Sequence, residues 1–531
     1  MTSFNRRHLL QATAAAAGTG LFGMSWQAMA QAAKGGVLVV GTTQKPRHLN
    51  SAVQSGIATM FPAAQLFASP LRMSADWKPQ PYLAERFELS PDNRSVTLHL
   101  RKEAVFHDGR PITAEDVRFS IETIRDNHPF KTMYGPVNAV TADGPHTAVI
   151  RLSEPHPALL LAMSTSLTPI IPKHIFGEGG DIKVHPRNAN PVGSGPFKLL
   201  EFKPGEHIVM ERFDKFFLKD MPRLDRIIIK EYKDPASLML ALERGEIDMH
   251  PGIGDPRDLA RAKTMPGLQL ISGAQPAVGP LLWLAFNTKN PKLTDKRVRQ
   301  AISFAIDRQF ITQQLFAGVH KLSTGPIASG SPFYSADVEK YAHNIAKANQ
   351  LLDAAGLKPG ANRTRLALEL DSIPGSNELK VMQEYMKPAL AKVGIDITVR
   401  LSPDFPTWAR RVSSHQFEIT MDSVWNWGDP VIGVHRTWLS SNIKPGVIWS
   451  NTQSYSNDKV DALMAAAGQE MNLAKRKAMY KDMQKLVVDD CPVAFLLEPN
   501  VTEAYGAKVA NPPRGIWGLL DSMVDLSMRK G

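Results

Sequence analysis

The sequence predicts an α/β protein built from several domains, and three observations carry this reading. The chain has 531 residues, more than one hydrophobic core fills, which indicates about two to four domains. Short apolar or alternating runs typical of strands are interleaved with helix-period patterns from Gly36 to about residue 430. The third is the stretch Asn287 to Arg308, which follows a buried apolar run (Leu281 to Asn287) and reads as an amphipathic helix. Thr294 is placed to cap it, with Asp295 in the first turn where the helix dipole favours negative charge. Val298, Ala301, Ile302, Ala305, Ile306 and Phe310 recur at helical spacing, and Gly318 lies beyond them.

Composition excludes several classes. The formal charge is +11, and removing the two arginines of residues 1–30 leaves 60 bases against 51 acids, a net of +9. That excess suits anionic small ligands or acidic surfaces. There is no block of five Lys/Arg and no aromatic-basic repeat, so no nucleic-acid partner is expected. The single cysteine, Cys491, allows neither an intrachain disulfide nor a cysteine metal cluster. Beside the apolar run Pro492 to Leu497 it reads as a small buried residue.

Residues 1–30 read as an address rather than part of the fold. Asn5-Arg6-Arg7-His8-Leu9-Leu10 resembles a twin-arginine export signal, followed by a mild apolar stretch and the small-x-small site Ala28-Met29-Ala30. No cysteine follows that site, so no lipid anchor is expected, and no later run reaches the ~18 apolar residues of a membrane span.

In chain order, Gly36 to Thr42 reads as a buried first strand, with a turn from Thr43 to Asn50 that carries Arg47. Tyr82 to Phe87 reads as a strand ending in the turn Ser90 to Arg94. Val96, Leu98 and Leu100 then alternate with polar residues, a half-buried strand. Phe106-His107-Asp108-Gly109 makes a turn, and Thr113 to Asp116 forms a capping box opening a helix with Val117, Ile121 and Ile124 on one face. Gly193-Ser194-Gly195-Pro196-Phe197 is a glycine loop lacking the Lys-Ser/Thr of a phosphate cradle. Leu242 to Asp248 ends a helix in Gly245 and enters a strand. Ala348 to Leu357 is a helix closed by Gly356, and two amphipathic helices follow near Val460–Ala467 and Ala474–Val488.

These blocks, in this order, resemble family 5 of the bacterial extracytoplasmic solute-binding proteins, the dipeptide-, oligopeptide- and nickel-binding subunits of ABC importers. The carriers are N-T-K-N-P-K-L-T-D-K-R-V-R-Q-A-I-S-F-A-I-D-R, the run L-A-E-R-F…S-P-D…F-H-D-G-R-P-I-T-A-E-D-V and the G-S-G-P-F loop. The resemblance covers residues 36–510. It implies a two-lobed periplasmic binding protein of type II-like, cluster C architecture, with a small accessory domain and a hinged interlobe cleft. The expected division is 31–76 plus 188–279 plus 492–531 for the first lobe, 77–187 for the accessory domain and 280–491 for the second lobe. Leu281 to Asn287 is expected to cross between lobes.

Ligand chemistry is expected in Ser423 to Pro430 and His435 to Trp438. Three tryptophans within fourteen residues, Trp425, Trp427 and Trp438, offer large rigid surfaces beside Gly428-Asp429-Pro430. In peptide binders this region resembles W-x-A-D-Y-x-D-P, whose first Asp pairs with the ligand's α-ammonium. Aligned on Asp429-Pro430, this chain has Asn426 there, or Trp427 with a one-residue slip, and neither is anionic. A neutral side chain does not offset burial of an ammonium group, so an ordinary dipeptide is not the expected ligand. Arg436, Arg410 and Arg411 are candidate anion partners, since guanidinium binds carboxylates bidentately. Trp408, Trp283 and Arg47 complete the expected ligand set, with Asn426 and Asp429 included.

The expected function is a periplasmic, monomeric subunit that captures a peptide-like or other anionic small molecule and delivers it to an inner-membrane ABC permease, with no cofactor or metal. Two alternatives stand beside it: a nickel-chelate binder using His435, and a twin-arginine-exported periplasmic enzyme. The enzyme alternative lacks H-E-x-x-H, G-x-S-x-G, Walker A and G-x-G-x-x-G motifs.

Overall fold

Val37–Thr42 forms the expected buried strand and lies in the middle of a seven-stranded sheet. We describe the protein from a computed structural model covering residues 35–360 and 362–529, so the export-signal residues lie outside the described chain. Val37–Thr42 pairs in parallel with Arg226–Glu231 on one side and Met249–Ile253 on the other. Phe197–Lys203, His207–Arg212, Gln269–Ser272 and Thr502–Tyr505 complete the sheet. Three separate stretches of chain therefore build it.

A six-stranded sheet forms the second lobe, in the order Lys321–Leu322, Val493–Glu498, Pro280–Phe286, Ile419–Trp425, Leu366–Ser372, Ile395–Val399. Pro280–Phe286 lies within this sheet, paired along its length with Ile419–Trp425. It does not cross between lobes, as its sequence suggested. The crossing is made just before it, by residues 273–279, where Asn426 and Trp427 donate backbone N–H groups to Gly279 and Val278. Val493–Glu498 likewise pairs in the second sheet rather than opening the last first-lobe segment, because its apolar residues are buried on both faces there. The second return crossing follows it, at residues 499–501.

The accessory unit is an antiparallel sheet of Ala84–Leu89, Ser95–Leu100, Thr147–Leu152 and Val137–Ala142. Helix Ala114–Asn127 covers it, opened by the expected capping box, in which Thr113 donates its backbone N–H to Asp116 at 2.9 Å. One continuous core joins this unit to the first lobe, and a separate core fills the second. The His107 imidazole is structural: it accepts the Gly193 N–H and contacts the Gly195 carbonyl, pinning the glycine loop. A Cβ at Gly193 would fall on the Leu66 carbonyl oxygen, a backbone atom that cannot rotate away. Gly193→Ala is expected to cost about 3 kcal/mol or more, measured by chemical unfolding. A loss below about 1 kcal/mol would show that the loop relaxes freely.

The signature helix differs from its sequence reading in two ways. Asp295, not Thr294, caps it by accepting the Arg297 N–H, and Thr294 donates its hydroxyl to the Asn290 carbonyl. Lys296–Ala305 then ends at Ile306, and Asp307 recaps a short continuation, Arg308–Phe310, that runs into a π-turn over Ile311–Leu315. The break has a cause in Arg308. Its buried guanidinium donates to the carbonyls of Phe495, Ser303 and Tyr341, and Arg299 does the same for Leu293, Asp490 and Cys491. Both arginines, each 6% exposed, are therefore internal braces. Phe310, expected inside, is 40% exposed. Cys491 is buried in left-handed conformation at the end of helix Leu473–Asp490, as a small core residue. Gly356 closes helix Ile345–Ala354 as expected, at φ +82°.

Candidate functional site

Two cavities open between the lobes and meet at Ile57 and Trp425, which line both. The first, about 370 Å³, is floored by the crossing segments: Gly273 to Gly279 on one side and Glu498 to Val501 on the other. Ser329, Glu378 and Lys321 contribute its second-lobe walls. The second, about 620 Å³, draws on three parts of the chain: Gln44 and Ser55 to Ile57 from the first lobe, Phe130 from the accessory unit, and Trp425, Trp427, Arg436 and Trp449 from the second lobe. The cleft thus spans volumes that enclose small organic molecules.

Local chain geometry aims the aromatic wall. Strand Ile419–Trp425 ends at Trp425, and Trp427 then takes φ +51°, unusual for a bulky residue. This turns its ring onto Phe130, with centroids 5.1 Å apart. Gly428 follows at φ +82°, where a Cβ would meet the Leu161 side chain at 2.9 Å. Trp449 faces Trp425 edge-on at 6.1 Å.

Among the described residues, Arg436 is the sole ionisable one lining the larger cavity. It rides on the short helix Val434–Trp438, donates to the Ile448 carbonyl at 2.9 Å, and stands 5.9 Å from the Phe130 ring centre. Among the described residues no carboxylate lies at ion-pair distance from it. Burial lowers its pKa with no acid to offset the cost. A half-buried guanidinium in an aromatic wall, short of an anion, is poised to take one.

The other expected ligand residues divide clearly. Trp425 and Trp427 line the cleft with Arg436. Asn426 sits beside them, but its amide is committed to the Ala328 N–H at 2.7 Å and the Pro326 carbonyl at 3.2 Å. Asp429 lines neither cavity and is committed to a bidentate pair with Arg476, both bonds 2.6 Å, with side chains 6% and 4% exposed. Trp408 is fully buried and donates to the Thr420 hydroxyl, while Trp283 and Trp438 pack edge-on in the second-lobe core. Arg47 is exposed and lines neither cavity. Arg411 pairs with Asp371, which Arg400 also holds, and Arg410 is exposed. His435 contacts the Tyr480 hydroxyl at 2.9 Å, and burial pushes its pKa down to about 3, so it is neutral. No group of three or more His, Cys, Asp or Glu suited to a metal occurs among the described residues.

Phe130, Trp449, Glu378 and Glu498 escaped the sequence reading. The Glu498 carboxylate is 6% exposed and accepts the Ser329 N–H at 3.0 Å and hydroxyl at 2.6 Å. Burial raises its pKa, against these bonds and the charge of Lys321. Glu378 accepts the Ser376 hydroxyl at 2.9 Å. Only Trp449 had a local signal, an aromatic after Pro445-Gly446 in a loop.

Asp422 bears on the site because it accepts the Trp449 indole N–H at 3.1 Å, along with the Ser423 N–H. Burial pushes its carboxyl up to about 7 despite those bonds. A raised folded-state pKa means the folded chain holds the proton more tightly. The stabilisation is complete below about pH 4 and is lost as pH rises through 7. Asp422→Asn is expected to melt close to wild type at pH 4 and above it at pH 8, the gain being at most on the order of 4 kcal/mol. A gap that does not change with pH would contradict this.

A cleft between two α/β lobes, floored by the segments that connect them and walled from both sides, defines a ligand-capturing binding protein. Residues 78–446 match the family described as bacterial extracellular solute-binding proteins, family 5 (middle region). The chain belongs to that family. It is 25% identical over 492 residues to the oligopeptide-binding protein AppA of Bacillus subtilis, covering 88% of this chain and 87% of AppA. Among solved structures, NikA of Brucella suis in complex with Fe(III)-EDTA superposes with a TM-score of 0.82 at 25% identity, over 93% of this chain and 100% of NikA. The ABC transporter substrate-binding protein CtaP of Listeria monocytogenes superposes with a TM-score of 0.79 at 25% identity, over 93% and 99%. No described helix is long and apolar enough to cross a membrane.

Proposed function

We propose that the chain is the periplasmic substrate-binding subunit of an ABC importer, exported through its twin-arginine-like leader and working as a monomer without cofactor or enzymatic turnover. Its ligand is a small organic or peptide-like molecule bearing an anionic group, bound between the lobes. The working partition keeps the accessory domain as expected from sequence, extends the second lobe through Glu498 and starts the last first-lobe segment after it. Ligand contacts to both lobes favour the closed arrangement by their differential affinity, and the closed form docks the permease.

The observation that carries the ligand class is the Arg436 guanidinium, half-buried in an aromatic wall with no carboxylate among the described residues at ion-pair distance. Trp425, Trp427 and Trp449 supply surfaces for the ligand body. Fe(III)-EDTA, bound by NikA, is itself a polycarboxylate chelate, which agrees with an anion site on this fold. The commitment of Asn426 to Ala328 and Pro326 leaves no carboxylate for a peptide ammonium at that position. Carboxylic acids and acidic peptides, screened by thermal shift beside their carboxamides, test the reading. Acids are expected to raise the melting temperature and amides to lose most of that shift. Equal shifts for acid and amide would overturn the anion assignment.

A further inference from the structure

The two cavities carry opposite charge. Among the described residues, the larger is lined by one ionisable group, Arg436, and the smaller by Glu498, Glu378 and Lys321. Neither glutamate forms an ion pair with Lys321, which lies on the edge strand Lys321–Leu322 with an exposed side chain. Glu498 is held facing the cavity by three hydrogen bonds from Ser329, donors that hold the oxygens in place and supply no positive charge. Glu378 stands in the first turn of helix Asn377–Ala391 and approaches Gly254 across the cleft, where an added Cβ would lie 3.7 Å from its Oε1. Trp425 and Ile57, at the junction, give the passage between the ends an apolar wall.

We propose that the ligand is an elongated ampholyte, with its acid group on Arg436, an ammonium or guanidinium group between Glu498 and Glu378, and an apolar or peptide-like spacer along Trp425. This deepens the assignment of an anionic ligand and rests on it. An acid with no cationic end would leave Glu498 and Glu378 in one cavity with the exposed Lys321 as the lone cation among its described lining residues, an arrangement that disfavours closure. A cation there would pair with both and let the lobes meet around it. The charges must be far apart in the molecule, because they occupy different cavities. A free α-amino acid, with both charges on one carbon, does not reach both ends.

The test is calorimetry on the full exported protein with linear ω-amino and ω-guanidino carboxylates from hexanoate to dodecanoate, each beside the dicarboxylate of equal length. The best ampholyte is expected to bind at least about tenfold tighter than its dicarboxylate, the scale of a single charge-assisted hydrogen bond. Glu498→Gln keeps an acceptor for Ser329, and Glu378→Gln changes a half-exposed position, so both variants are expected to fold, with melting curves as the check. Each should reduce the ampholyte preference severalfold, leaving dicarboxylate binding unchanged or tighter. Dicarboxylates binding as tightly as ampholytes, a preference that survives both substitutions, or no binding anywhere in the series would overturn the proposal. Arg436-dependent binding of dicarboxylates without any ampholyte preference would overturn it and leave the anion site standing. Dicarboxylate binding indifferent to Arg436→Gln would overturn the anion site itself.

Discussion

Arg476→Met is expected to lower the unfolding free energy by about 3–5 kcal/mol. The cause is not the loss of a favourable bond alone. Asp429 and Arg476 are both almost fully buried and exchange two 2.6 Å bonds, so removing the guanidinium leaves a carboxylate in the interior with its main partner gone. Replacing both partners together, Asp429→Asn with Arg476→Met, should recover much of the loss, because the unpaired charge is then absent. The pair also braces the cleft wall: Asp429 caps the turn that leads from Trp427 to Arg436 by accepting the Val431 N–H. Denaturant unfolding of the two variants checks this. An Arg476→Met loss under about 1 kcal/mol would mean that Asp429 finds water or another donor.

Arg436→Gln is expected to behave in the opposite sense. The apo protein should become no less stable, and slightly more so, because a half-buried cation without an acid partner is removed. Binding of an acid-bearing ligand should weaken by about 10- to 150-fold, the equivalent of about 1.5–3 kcal/mol for a hydrogen bond to a charged group. Melting curves with and without ligand measure both at once. A stability gain paired with a binding loss identifies a residue kept for function; a variant that loses stability and keeps binding would place Arg436 among the structural braces, with Arg299 and Arg308.

That contrast among arginines shows what was legible in the sequence and what was not. Local patterns were sound where neighbouring residues decide the outcome: the capping box at Thr113, the alternation of Val96 to Leu100 and the Gly356 helix stop all form. Family blocks carried the two-lobed fold. Local patterns said little where the deciding partner lies far along the chain. The pairing of Asp429 depends on Arg476, 47 residues away, and the sequence around Arg299 and Arg308 carries no mark of the carbonyls of Asp490, Cys491 and Phe495 that they serve. Trp283 and Trp408 were chosen as aromatics near expected ligand segments, but sequence does not say which face of a strand or helix turns to the cleft. In strand Pro280–Phe286, Leu282 faces the cavity and Trp283 the core. Phe130 reached the site from the accessory unit, with no local mark of its role.

The central claim is that one acid-bearing organic molecule occupies the cleft against Arg436. Native mass spectrometry of the exported protein, followed by denaturation and identification of what is released, tests it most directly. The account predicts a single small organic molecule per chain, carrying at least one carboxylate or comparable anionic group, retained by wild type and lost from Arg436→Gln. A bound metal ion with no organic acid, a ligand with no anionic group, or equal occupancy in the two proteins would contradict it.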